Sequence, residues 1–112
     1  MERPNQGETK KKENTHVVVI GKERKLIKGD FILEKSYYKH AKEYVYKFFV
    51  TEKGTYVVNF LVYGLQYFKE GFLYTGSDLK ELKRQIDRED FLREFAKTLN
   101  VPYPEELEII DI

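Results

Sequence analysis

The chain has 112 residues, with 20 Lys or Arg against 19 Asp or Glu, 41% hydrophobic residues, and neither Cys nor Trp. That length fits one domain with an ordinary core, and the missing Cys excludes disulfides, thiolate metal sites and cysteine nucleophiles. The absence of a long uninterrupted apolar run and the polar amino terminus argue against a membrane-spanning helix and a secretory signal, so a soluble, intracellular protein is expected.

Lys and Glu dominate the charged set, a bias shared with thermophile proteins. The charge is lopsided: residues 1–53 hold 13 basic against 8 acidic side chains, and residues 54–112 hold 7 against 11. The amino-terminal stretch 1–14, MERPNQGETKKKEN, contains no Val, Ile, Leu, Phe or Tyr and reads as a disordered basic tail. A single α+β domain is expected over 15–112. Within it His16 to Ile20 forms a short β-branched strand, Gly21 a turn, and Arg24 to Lys28 a second strand. Asp30 to Ala41 is ambiguous. Leu33, Tyr37 and Ala41 have helical spacing behind Asp30, yet Phe31, Leu33 and Tyr37 also alternate, and the aromatic content tilts the reading to strand.

Tyr44 to Tyr63, YVYKFFVTEKGTYVVNFLVY, is a β-hairpin with Lys53-Gly54 as its expected two-residue loop. Both of its faces are apolar. In that register Tyr44, Tyr46 and Tyr63 share one face, while Val45, Phe49, Val58, Phe60 and Val62 share the other. The aliphatic face is the expected core, and the tyrosine face is left for a second subunit or a ligand. Leu65 to Tyr74 reads as one more strand, with Gly71 as a bulge or bend.

The carboxyl-terminal part is helical. Ser77 can cap a first helix reaching Ile86, and Asp87 a second reaching Leu99, because one straight helix would split the apolar stripe of Leu79, Leu82 and Ile86 from that of Phe91, Leu92, Phe95 and Leu99. Asn100 and Pro102 stop the second helix. The ending PEELEIIDI can close the sheet as an edge strand or serve as an acidic docking tail. The expected fold is therefore an antiparallel β-sheet of about four to six strands followed by two helices packed on one face.

Catalytic signatures are missing. There is no Gly-rich phosphate loop and no nucleophile elbow, and Ser36 and Ser77 are the only serines. His16 and His40 lack a partner at metal-ligand spacing. Glu23-Arg24-Lys25 would supply half of a metal-dependent nuclease motif, but no Asp precedes it. No enzyme activity, cofactor or metal is expected. Binding fits better, because single-stranded nucleic acid requires cations for phosphates and rings for bases. Lys35 to Phe48 interleaves the two, and Lys39, Lys42, Tyr44, Tyr46, Lys47 and Tyr63 are the candidate nucleic-acid-binding residues.

The succession GTYVVNFLVYG, then FKEGFLYTGSDLKELKRQI, resembles the strand, strand, helix order of transcriptional positive-cofactor-four and Whirly proteins over residues 44–86. That resemblance implies a homodimer binding single strands on a curved sheet. The final IIDI is similar to the partner-recruiting tips of bacterial single-stranded-DNA-binding proteins, which would make the acidic carboxyl terminus a protein-docking element. Two classes stay open: a nucleic-acid-binding protein, and a protein-interaction module acting through an exposed hairpin face or the acidic end.

Overall fold

The computed structural model describes residues 14–65 and 67–105. The expected basic tail and acidic ending lie almost wholly outside them. The chain forms five antiparallel strands, β1 (Thr15–Ile20), β2 (Glu23–Lys39), β3 (Lys42–Thr51), β4 (Tyr56–Tyr63) and β5 (Phe68–Gly76). They are joined in sequence order as a meander, and two helices follow, α1 (Leu79–Lys83) and α2 (Glu89–Leu99). The α+β class and the two carboxyl-terminal helices agree with the sequence reading.

The segments expected as two strands around residue 29 are one, the 17-residue β2. Its first half pairs with β1 and its second with β3. Gly29 marks the changeover, where a side chain would run into the Val50 carbonyl. Beyond it the register slips at Ile32, so Phe31 faces Phe49 and Leu33 faces Phe48 on the opposite side of the sheet. The ambiguity of Asp30 to Ala41 resolves as strand. A four-residue spacing such as Leu33 to Tyr37 satisfies both periods, being one helical turn or two full strand repeats.

The central hairpin has three loop residues, Glu52 to Gly54, rather than two. The Gly54 N–H donates to the Thr51 carbonyl at 2.9 Å, the Thr51 N–H donates to the Thr55 carbonyl at 2.9 Å, and Gly54 takes φ 86°. Val50 therefore faces Tyr56, and Tyr46 faces Phe60. One extra residue transfers the whole of β4 to the other face. The face expected to stay open is the one under the helices: Tyr46, Phe48 and Val58 join Leu79, Leu82, Ile86, Phe91, Leu92, Phe95 and Ala96 in the main core. Burial of Phe48, Leu82, Leu92 and Phe95, each at 0% exposure, contributes roughly 1.5–3 kcal/mol apiece before entropy is counted.

The opposite face closes on itself. The β1–β2 hairpin folds back so that Val18 packs on Phe49 and Val57, flanked by Ile27 and Leu73. Asn59, the one buried polar residue of the described core, fastens it. Its amide accepts the Val19 N–H at 2.8 Å and donates to the Val19 and Phe72 carbonyls at 2.9 Å each. Next to it Gly21 and Gly71 exchange backbone hydrogen bonds of 2.7 and 2.9 Å, joining β1 to β5 at that point. Gly71 is thus a close-approach residue within β5, and the irregularity expected there falls instead between Val62 and Tyr63.

Both helix starts differ in detail from expectation. Asp78, not Ser77, caps α1: its extended backbone lets the carboxylate accept the Glu81 N–H at 2.9 Å, while Ser77, one residue too early, donates its N–H and hydroxyl to the Glu81 carboxylate. At α2 the cap position is Arg88, without a side-chain capping bond. Its guanidinium stacks on Tyr37 and Phe91 at 4.3 and 4.2 Å and pairs with Asp90 at 2.8 Å, so the ring sandwich fixes the entry to α2 in place of Asp87. Asn100 ends the helix in the left-handed conformation, φ 60°, as expected.

Candidate nucleic-acid interface

The helices cover only part of their face. Beyond them four rings stand in a row across four strands: Tyr37 against Tyr44 at 5.0 Å, Tyr44 against Phe60 at 6.0 Å, and Phe60 against Phe72 at 5.7 Å, all stacked. Arg88 lies on the Tyr37 end. The row is half-buried from Tyr37 to Phe60 and more open at Phe72. Tyr44, a candidate residue, is an interior member of this row. Tyr46 is beneath it, 6% exposed, with Phe60 at 4.5 Å on one side and the edge of Phe91 at 5.4 Å. Desolvation first, and then the neighbouring Tyr37, push the Tyr46 hydroxyl far above the ordinary tyrosine pKa. Tyr46 is a core residue and offers no ring to a ligand.

The surface carrying both rings and cations is the end of the sheet where the β2–β3 turn meets the β4–β5 loop. His40 and Ala41 form the two-residue turn, both at positive φ, 53° and 64°. Ordinary side chains are strained there. That turn sets Lys39 opposite Lys42, and Tyr38 opposite Glu43, on alternate faces. Across from it Gly64 donates its N–H to the Tyr67 carbonyl at 2.8 Å, and β5 begins at Phe68 rather than at the expected Leu65.

Two adjoining hollows lie between these elements. The larger, about 460 Å³, is lined by Tyr38, Glu43, Tyr63, Leu65, Tyr67 and Phe68 among others. The smaller, about 240 Å³, is bounded by His40, Lys42, Leu65, Tyr67 and Lys69. Tyr38, Leu65 and Tyr67 are 75%, 68% and 60% exposed, values that no core role explains. Tyr63 meets Phe68 edge to face at 5.4 Å, and the Lys69 ammonium lies 5.9 Å over the Tyr67 ring.

Of the six residues expected from the sequence, Lys39, Lys42 and Tyr63 come together at this tip. Tyr44 is two residues inward of Lys42 on the helix face, Tyr46 is in the core, and Lys47 stands on the opposite face across from Glu34 and Asn59. The sequence does not single out Tyr67, Phe68 and Lys69, because Leu65 to Tyr74 reads as strand, where alternating aromatics need no ligand. The signal that could have found them is the pair Gly64 and Leu65, a turn residue followed by an apolar side chain without a strand partner.

Among the described residues no group of three or more His, Asp or Glu side chains converges on a point, and no helix is long and apolar enough to cross a membrane. Comparisons with protein-family models, curated proteins and solved structures gave no match for this chain.

Proposed function

We propose that this protein binds single-stranded nucleic acid without catalysis, through the tip formed by the β2–β3 turn and the β4–β5 loop. The observation that carries the reading is the joint exposure of Tyr38 and Tyr67 beside Lys39, Lys42 and Lys69. Lysine ammoniums meet phosphates as mobile point charges, and rings exposed on a loop accept bases of any sequence. The interface differs from the one expected on the hairpin face. The tip keeps Lys39, Lys42 and Tyr63 of the residues expected from the sequence, adds Lys69, Tyr38 and Tyr67, and leaves out Tyr44, Tyr46 and Lys47.

A fluorescein-labelled oligothymidylate titrated by anisotropy tests it. Saturable binding is expected for the wild type. Changing Lys39, Lys42 and Lys69 together to Glu removes it, and Tyr67→Ala weakens it by about 1–3 kcal/mol if one base stacks there. Wild-type affinity unchanged in the triple variant would refute the assignment.

Leu65 favours a second reading, a protein partner, because an aliphatic side chain 68% exposed between two tyrosines gives a phosphodiester strand little. The two readings separate on one pair of variants. A nucleic-acid site loses more affinity from the lysine changes than from Leu65→Ala, and a protein site shows the reverse order.

A further inference from the structure

A second surface lies at the opposite end of the molecule, where the closure of the sheet comes apart. β5 pairs with β4 along its length, but on its other side it meets β1 only at Gly71. Alternate residues of an antiparallel strand direct their N–H and C=O to the same side, so Leu73 and Thr75 aim theirs outward as Gly71 does. Among the described residues those of Leu73 have no partner, and at Thr75 only the carbonyl is taken, by the Gln85 amide at 2.8 Å. β1 cannot supply the missing bonds, because Val19, next along from Gly21, is occupied by the Asn59 side chain. Strand edges left open in folded proteins carry charges, Pro or bulges as protection. Phe72 to Gly76, FLYTG, has none of these.

Beside this edge is a hollow of about 380 Å³ with an apolar floor of Ile27, Val57 and Leu73, and with Lys28, Lys53 and Glu52 on its lining. We propose that the β5 edge binds an extended peptide, running antiparallel to it, that bears one large aliphatic side chain with an acidic residue two positions before it. A residue paired with Leu73 through both backbone groups shares its face and points into the hollow. The residue two positions before it faces Thr75 on that same side of the sheet and approaches the lysine-lined end of the hollow, whereas the one two positions after it would face Gly71, which is already bonded to Gly21. This is strand addition, in which backbone bonds supply affinity and the pocket supplies selectivity. A second copy pairing edge to edge would bring only its own FLYTG, without a carboxylate for Lys28 and Lys53, so a separate acidic peptide fits better.

The test uses the full chain and an end-blocked, fluorescein-labelled peptide, Thr-Glu-Thr-Ile, followed by anisotropy. Saturable binding is expected, weakened at least about tenfold by N-methylation of the Ile, which removes its backbone donor. Replacing the Glu by Lys weakens binding severalfold. Thr75→Pro deletes an outward N–H while sparing the β4 ladder, and should reproduce the loss with an unchanged circular dichroism spectrum. The N-methyl peptide probes wild-type protein, so the outcome does not depend on that variant folding. No binding up to about 1 mM, equal binding of the N-methyl peptide, or a β5-mediated dimer that excludes the peptide would each overturn the proposal.

Discussion

Asn59 shows how one polar side chain decides the shape of a face. Without it, the Val19 N–H and carbonyl would be turned toward the interior with no strand to meet them, since β5 approaches β1 only at Gly71. The amide of Asn59 acts as a short piece of backbone, accepting from one group and donating to the other. Leucine has nearly the same shape but satisfies neither. Asn59→Leu should therefore cost about 2 kcal/mol or more in urea unfolding, the penalty for orphaned buried groups, even though it adds apolar surface. A loss below about 0.5 kcal/mol would mean that packing of Val18 alone holds the hairpin down.

At the scale of elements, strand and helix identities were legible from alternation and from the displaced stripes around Asp87. What was not legible was register. A two-residue loop at Lys53-Gly54 and a three-residue loop ending at Gly54 leave the same glycine at the turn, and the difference reverses the face of every β4 side chain. The apolarity of both hairpin faces was readable because it survives that shift, whereas the choice of which face the helices cover was not. The β2–β3 turn was equally hidden, since His40-Ala41 lacks the Asn or Gly that such turns favour. Both residues are held at positive φ, so replacing them by Asn-Gly should raise stability by about 1 kcal/mol in thermal or urea unfolding. A destabilised variant would show that the turn is held by contacts of the native side chains rather than against their preference.

For the whole molecule, the meander folds its first hairpin over one face and lays two helices on part of the other, leaving the half-buried rings of Tyr44 and Phe60 in the central hairpin beyond them. The two most exposed rings, Tyr38 and Tyr67, stand together at one end of the sheet. The lopsided charge of the sequence reappears there only in part: Lys39 and Lys42 come from the basic half, but Lys69 comes from the acidic half and joins them across the β4–β5 loop. No count along the chain could have paired them. Nucleic-acid binding at this tip should be electrostatic in proportion to the lysines engaged, because each neutralised phosphate releases counterions.

The salt dependence of oligothymidylate affinity is therefore the most direct measurement. With Lys39, Lys42 and Lys69 on phosphates, log K against log salt concentration should fall with a slope of about −2, and each lysine removed should flatten it by about 0.7. A slope that stays the same when the three lysines are replaced, or an affinity indifferent to salt, would contradict the account.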